Sequence, residues 1–181
     1  ERTEELHNSN EVIKDLYNNA PCGYHSLDKD GFIILINDTE LRWLGYSREE
    51  IIGTVRFRDL LTDSSQKLFE EKFSTFKEQG WISDLEFEMV RKNGTVLPVL
   101  LNATAITDSD GNYVMSRSTT FDITERKRVE DALQQRELHS QSLLRLSRSL
   151  ERSQTYTEVL NAALDEVKAV IGYQNLWAYL L

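Results

Sequence analysis

The sequence predicts an α+β fold with two short strands, a helical middle and three longer antiparallel strands. Three observations predict it. Residues 82–91 alternate between apolar and polar side chains, as in a strand with one buried face. Asp-Gly and Asn-Gly pairs separate the strand-like runs, and such pairs favour hairpin turns. Over residues 63–79, by contrast, leucine and phenylalanine recur at helical spacing.

The first predicted element is an amphipathic helix over residues 1–19, which ends at the run Asn18-Asn19-Ala20-Pro21. Two short strands follow, at about 22–28 and 32–37, and the turn Asp28-Lys29-Asp30-Gly31 joins them. The apolar side of the helix has residues at helical spacing: Leu6, Val12, Ile13, Leu16 and Tyr17.

The predicted middle begins with a short helix from Asp38 to Gly45. The run Ser47-Arg48-Glu49-Glu50 is a capping box that starts a helical turn ending at Gly53. A longer helix follows Thr62-Asp63 and ends at Gln79-Gly80. Its apolar stripe consists of Leu68, Phe69, Phe73 and Phe76.

The last two strands are predicted over residues 95–107 and 113–123. The second of them passes without a linker into a long charged helix, residues 125–156. Oxygen atoms of Asp122 and Thr124 can accept hydrogen bonds from free amides of the first helical turn, and Glu125 favours the positive end of the helix dipole. We therefore predict that this junction transmits changes in the sheet, through Asp122, Ile123, Thr124 and Glu125.

Composition excludes several classes of function. The 181 residues suffice for one domain and an appendage. The net charge of −9 falls entirely within residues 1–124, and this acidic part has no basic stripe of the kind that binds nucleic acid. No apolar stretch reaches the roughly 20 residues that cross a bilayer. The single Cys22 excludes an internal disulfide and fits a cytoplasmic location. Because the chain begins at Glu1, we expect it to be a segment of a longer protein, whose remaining part could carry a membrane anchor.

Several residue runs, in this order, resemble those of PAS domains: Asn19-Ala20-Pro21, Asp28-Lys29-Asp30-Gly31, Asn37-Asp38, Leu44-Gly45-Tyr46-Ser47-Arg48-Glu49-Glu50-Ile51-Ile52-Gly53, Arg91-Lys92-Asn93-Gly94-Thr95, Asp110-Gly111-Asn112 and Asp122-Ile123-Thr124-Glu125-Arg126-Lys127. The resemblance covers about residues 20–127, and we predict a sensor domain over residues 20–124. It implies a five-stranded antiparallel sheet with helices on one face, which enclose a pocket that senses a ligand, redox state or partner.

The residues expected to face this pocket are apolar, and each of them could equally fill a core: Ile36, Trp43, Leu44, Phe57, Leu60, Phe69, Phe73, Leu85, Phe87, Leu101 and Phe121. The cofactor remains unknown. Flavin photosensors of the family carry a cysteine after the first helices, and residues 53–58 have none. Haem sensors present a histidine from the long helix, and residues 63–79 have none. His25 lies in a predicted strand, where a lone histidine is more often a core or surface residue than a ligand.

No catalytic motif is present: the sequence has no phosphate-binding glycine loop, HExxH motif or nucleophile elbow. His139 lacks the following acidic residue and the nearby proline of a phosphoacceptor helix, so we interpret it as an interface residue. A heptad seam along the charged helix predicts a parallel homodimer, with the N-terminal helix contributing. The alternative is a helix that lies on its own domain. The seam comprises Val129, Ala132, Arg136, His139, Leu143, Leu146 and Leu150.

Residues 157–181 resemble the start of a GAF domain, with a helix over 157–171 and an apolar strand-like run over 176–181. We therefore expect a sensory module of a bacterial two-component histidine kinase, with GAF and kinase domains after it and a small-molecule ligand or partner as its signal. The alternatives are a ligand-free dimerisation module and the sensor of a cyclic-dinucleotide synthase.

Overall fold

The structure is a computed structural model that describes residues 2–152 and 155–171. The chain divides into two units, Glu1–Glu125 and Arg126–Leu181. The first unit contains the whole sheet and the helices that pack on it.

Five antiparallel strands form one sheet: β1 (Gly23–Leu27), β2 (Ile33–Ile36), β3 (Trp81–Val90), β4 (Val96–Thr107) and β5 (Tyr113–Asp122). Their order across the sheet is β2-β1-β5-β4-β3. Each strand lies within one residue of its predicted bounds, so the α+β fold class is confirmed. The last strand, β5, lies between β1 and β4, so β1 is next to the strand that leaves the sheet.

Six α-helices are described, together with a 3₁₀ helix at Phe57–Leu60 that the sequence did not predict. The helices are α1 (Arg2–Asn18), α2 (Asp38–Leu44), α3 (Arg48–Ile51), α4 (Asp63–Gln79), α5 (Thr124–Arg152) and α6 (Tyr156–Ile171).

Local signals explain where the helices of the first unit begin and end. Asn37 caps α2 by accepting a hydrogen bond from the amide of Glu40, and Gly45 ends that helix in the left-handed conformation with φ 78°. The capping box of Ser47 and Glu50 forms both of its bonds. These matches confirm the helix bounds predicted for the middle of the chain.

The core lies between the sheet and the helices. Phe57 is its largest fully buried side chain, at 1% exposure. On β3, Phe87 and Met89 are buried while Glu86 and Glu88 are exposed, as the alternation predicted. A β-bulge between Ile82 and Leu85 interrupts the pairing of β3 with β4. Near the bulge, Asp84 adopts a positive φ of 55°.

In the second unit, α5 ends at Arg152, four residues before the predicted end of the charged helix, and α6 covers the helix predicted over 157–171. The strand-like run predicted over 176–181 lies outside the described residues. Among the helices that the structure describes, none has both the length and the apolar character of a membrane span.

Candidate functional site

The most unusual feature of the core is a buried histidine–carboxylate pair. Nδ1 of His25, on β1, lies 3.0 Å from Oε1 and 3.1 Å from Oε2 of Glu40, on α2. The imidazole also stacks on Phe57, with ring centroids 4.8 Å apart. His25 is thus a core residue, one of the two positions that the sequence left open for it. Within the described part of the chain, no group forms a hydrogen bond with its Nε2 atom, which is also buried.

Asn37 holds the first turn of α2, which contains Glu40, next to the strand that contains His25. Its Oδ1 accepts hydrogen bonds from the amides of Tyr24 and Glu40, each at 3.0 Å. Its Nδ2 donates to the carbonyls of Tyr17 at 2.9 Å and Cys22 at 3.0 Å. All the hydrogen-bonding capacity of this fully buried amide is therefore used. It joins the end of α1, the start of β1 and the first turn of α2 at one point.

Gly23 allows α2 and β5 to approach the same stretch of β1. A Cβ atom at this position would overlap Oγ1 of Thr120 and lie 2.9 Å from Cδ of Glu40. The absence of a side chain is therefore required by close packing, since the backbone of Gly23 is not in the left-handed region.

A cavity of about 30 Å³ adjoins this pair. Its walls are mainly aromatic and aliphatic, and the polar residues that line it are His25, Lys72, Ser116 and Ser118. Among these lining residues, His25 also belongs to the buried pair with Glu40. The apolar lining comprises Leu27, Phe57, Phe69, Phe73, Phe76, Ile82, Leu85, Phe87, Leu101 and Ala103.

Two serines of β5 form the polar edge of the cavity. Ser116 Oγ accepts a hydrogen bond from the amide of Leu27 at 3.0 Å and lies 3.2 Å from Ser118 Oγ. Tyr113 donates its hydroxyl hydrogen to the carbonyl of Leu27 at 3.1 Å. Burial raises the pKa of Tyr113 to about 12, so its hydroxyl stays neutral at physiological pH.

The structure places the predicted pocket residues in three groups. Six of them line the cavity: Phe57, Phe69, Phe73, Leu85, Phe87 and Leu101. Four belong to the core or pack against it without lining the cavity: Ile36, Trp43, Leu44 and Leu60.

Phe121 does not line the cavity, so the prediction was wrong for this residue. It is 44% exposed, whereas its neighbour Thr120 is fully buried. The buried positions of β5 are Ser116, Ser118 and Thr120, so alternation along the strand puts Phe121 on the opposite face. The sequence pattern misled here because the buried positions carry hydroxyl groups and the exposed one is aromatic.

At the predicted coupling junction, Asp122 Oδ1 accepts a hydrogen bond from the amide of Thr124 at 2.8 Å. Ile123 is buried, and its amide donates to the carbonyl of Pro98 on β4 at 3.1 Å. Glu125 lies exposed in the first turn of α5. The capping expectation was wrong for Thr124, because among the described residues its buried Oγ1 has no hydrogen-bond partner. Thr124 is itself the first helical residue, beyond the usual capping position.

The predicted seam residues lie along α5 in the second unit. Five of them are exposed, Leu146 is half-buried, and the side chain of Leu150 lies outside the description. The two large apolar members among these five, Val129 and Leu143, have exposures of 65% and 53%. The seam therefore remains a prediction. In the predicted dimer, a second copy of the chain would cover these residues.

Sequence reasoning missed Glu40, Gly23 and the two serines. Glu40 resembled an ordinary acidic residue in the first turn of a helix, and such residues are normally solvated. The available signal was Asn37, whose role as a cap fixes the third helical residue close to the preceding strand. His25 in that strand and Glu40 at that helical position become a pair only through this cap.

Comparison with known proteins agrees with the architecture. A family model described as "PAS domain" matches residues 21–125. The chain is 32% identical over 94 residues to the phosphoserine phosphatase RsbP of Bacillus subtilis (strain 168). The match covers 51% of this chain and 23% of RsbP, so it spans less than a quarter of that relative.

Two solved structures share the fold. The PAS domain of a protein from Colwellia psychrerythraea superposes with a TM-score of 0.57 and 22% identity, over 64% of this chain and 97% of that one. A PAS domain from a two-component sensor histidine kinase superposes with a TM-score of 0.54 and 18% identity, over 66% and 98% of the two chains.

Proposed function

Because this chain belongs to the PAS domain family, we propose that it is the sensory module of a multidomain signalling protein. The cavity beside His25 is the input, and the junction between β5 and α5 is the output. The single observation that carries this proposal is the position of His25: it pairs with Ser118 of β5, the strand that leads into α5.

The route from cavity to helix is short. Ser118 lines the cavity, and four residues later Asp122 holds the amide of Thr124. The amide of Ile123, between them, is bonded to β4. Suppose that β5 and the junction adopt two conformations. A ligand that binds one conformation more tightly increases its population, and the difference in affinity sets the size of the shift. Asp122, Ile123, Thr124 and Glu125 are the proposed coupling residues.

For the effector, we propose the kinase core of a two-component sensor histidine kinase. The solved PAS domain from such a kinase supports this through its shared fold. The second candidate is a phosphatase acting on phosphoserine, which the name of the 32% identical relative RsbP supports. In both cases the effector belongs to the longer protein, with the proposed GAF start at residue 157 between sensor and effector.

A double-variant cycle in the longer protein tests the proposal without knowledge of the ligand. His25→Phe with Glu40→Met alters the input, and Asp122→Ala with Thr124→Ala alters the junction. The outputs to measure are autophosphorylation from ATP and release of phosphate from a phosphoserine peptide. We expect the input variant to change one output in the native protein and to have no further effect when the junction is altered.

The cycle tests two parts of the proposal separately: the cavity as the input and the junction as the route to α5. If the folded input variant leaves both outputs unchanged, the cavity is not the input. Equal effects in both backgrounds would exclude the junction as the route. Asp122→Asn with native Thr124 is the matched control, because an asparagine retains the oxygen that accepts the Thr124 amide.

The second candidate function is a ligand-free dimerisation module. Val12, Ile13 and Leu16 of α1 are exposed at 58%, 61% and 68%, and a second copy of the chain is the proposed occupant of this apolar surface. An absorbance scan and native mass spectrometry of freshly purified protein separate the two functions. A sensor in its bound state carries extra mass or colour, whereas a dimerisation module shows twice the mass of the bare chain and nothing more.

A further inference from the structure

The outer face of the sheet carries a groove that lies apart from the proposed input cavity. Its volume is about 650 Å³, within the range of roughly 300–1,000 Å³ that small-molecule sites occupy. On β5, the buried Ser116 and Ser118 alternate with the exposed Arg117 and the half-buried Thr119. Alternation along a strand therefore places Arg117 and Thr119 on the face opposite the cavity.

The strand register brings four polar side chains together on this outer face. Arg117 on β5 lies directly opposite Thr104 on β4, and Thr119 lies directly opposite Asn102. Side chains of such opposite pairs are about 5 Å apart at Cβ, and the next pair on the same face is about 7 Å farther along the strands. All four residues line the groove, and each of them carries a hydrogen-bond donor. We call these four residues the donor patch.

Two aromatic side chains flank the donor patch. Trp81 on β3 lies opposite Thr104, and Tyr24 on β1 lies opposite Thr119. Both aromatic residues line the groove, and Trp81 is 53% exposed. Because neighbouring strands are about 4.8 Å apart, the Cα atoms of Trp81 and Arg117 are about 10 Å apart. A flat ring stacked on the indole can therefore carry a polar group that reaches Arg117.

The electrostatics of the donor patch favour an anion. The chain has 30 Asp and Glu residues, yet none of those in the described part of the chain lines the groove. Among the described residues, no carboxylate pairs with the Arg117 guanidinium.

Asn102 adds two further donors to the patch. Its Oδ1 accepts the amide of Asp84 at 2.9 Å, which leaves both hydrogens of Nδ2 for another acceptor. A planar carboxylate suits this arrangement, because it can accept two parallel hydrogen bonds from a guanidinium and has lone pairs left for an amide.

We propose that the outer face of the sheet binds an aromatic carboxylate. Its ring stacks on Trp81, and its carboxylate is bound by Arg117 and Asn102. The exposed indole favours such a ligand over an acidic side chain from a second copy of the chain, which would satisfy Arg117 alone. This site goes beyond the proposed sensory input, because it lies on the other face of β5.

Three compounds of the same planar shape test the charge of the ligand on the whole chain. 2-Naphthoate is an anion, 2-naphthamide is neutral and 2-naphthamidinium is a cation. Binding is followed by the ¹H–¹⁵N signals of the Trp81 indole and of the Arg117 side chain. We expect 2-naphthoate to shift both signals and to bind at least about tenfold more tightly than the amide, the equivalent of about 1.4 kcal/mol. The amidinium should bind most weakly.

Two substitutions separate the contribution of the charge from that of the ring. Arg117→Gln should lower the affinity for 2-naphthoate about tenfold and leave the affinity for the amide unchanged, whereas Trp81→Leu should weaken the binding of both. Arg56→Gln is the matched control, because it removes one positive charge from an exposed arginine that does not line the groove. Thermal unfolding checks that the variants fold. Should one of them not fold, the three compounds on the native chain still decide the question.

Three results would overturn the inference. They are equal binding of the three compounds, an equal loss of affinity in Arg117→Gln and Arg56→Gln, and signals that 2-naphthoate leaves unchanged. If no compound binds and Arg117→Gln weakens dimerisation in sedimentation equilibrium, a carboxylate of a second copy occupies the groove and the ligand class is wrong. The junction cycle uses no ligand of this groove, so the sensory function and this inference can fail separately.

Discussion

The Glu40 carboxylate and the Nδ1 atom of His25 lie 3.0 Å apart at a place where neither side chain is more than 1% exposed. A buried pair of this kind adds little net stability compared with apolar residues of the same size, but the loss of one partner is costly. We therefore interpret the pair as important for function rather than as a source of stability. It joins β1 to α2 next to a cavity.

Removal of one partner should cost far more stability than removal of both. We expect His25→Phe alone and Glu40→Met alone to lower the free energy of unfolding, by up to about 3–5 kcal/mol for the variant that leaves a buried charge. The double variant should lose clearly less than the sum of the single losses. Urea unfolding of the four proteins measures this. Additive losses would show that the two side chains act independently.

Gly23 should not tolerate even a methyl group. Gly23→Ala places a Cβ atom against Oγ1 of Thr120 and 2.9 Å from Cδ of Glu40, and overpacking of this kind costs about 1–3 kcal/mol. Thermal unfolding measures the loss. Addition of Thr120→Ala removes the nearest clashing atom and should restore part of the stability. Without any recovery, the contact with Glu40 would be the dominant one.

The sequence predicts the strands of the sheet far better than it predicts the polar part of the candidate site. All five strands could be placed to within one residue, because alternation and Asp-Gly or Asn-Gly turns act locally. The polar part of the site could not, since His25 and Glu40 are 15 residues apart and meet only after α2 folds back on β1. Phe121 failed for a related reason: hydrophobicity alone assigned it to the interior, while the register of β5 directs it outward.

Asp122 should matter for the start of α5 through its side-chain oxygen. Asp122→Ala removes the acceptor that lies 2.8 Å from the Thr124 amide, and loss of such a bond costs about 0.5–2 kcal/mol. We expect faster hydrogen exchange at that amide in the alanine variant and native exchange in Asp122→Asn. Thr124→Ala should leave this bond intact. Slow exchange in the Asp122→Ala variant would show that the amide has another partner.

Alkaline pH should destabilise the sheet domain through two half-buried tyrosines. Burial raises the pKa of Tyr113 and of Tyr17 to about 12, whereas an unfolded tyrosine has a pKa near 10. The folded state thus holds these protons more tightly. Its advantage is complete below about pH 10 and is lost as the pH rises through about 12.

The variant Tyr113→Phe tests this alkaline effect. It should lower stability at pH 8 by about 1 kcal/mol, because the hydrogen bond to the carbonyl of Leu27 is lost. It should also reduce the further loss between pH 8 and pH 11. Urea unfolding at the two pH values measures both effects, with Tyr156→Phe at an exposed position as the control. An unchanged alkaline loss would show that other groups cause it.

The dimer seam of α5 can be tested with two leucines of nearly equal exposure. Leu143 is 53% exposed and belongs to the predicted seam, whereas Leu138 is 51% exposed and lies outside the seam. We expect Leu143→Glu to weaken dimerisation at least about tenfold, because it places a charge in the seam, and Leu138→Glu to leave it unchanged. Sedimentation equilibrium of the whole chain gives the dissociation constants. Equal effects of the two substitutions would rule out the heptad register, and a native chain that stays monomeric would favour a helix that lies on its own domain.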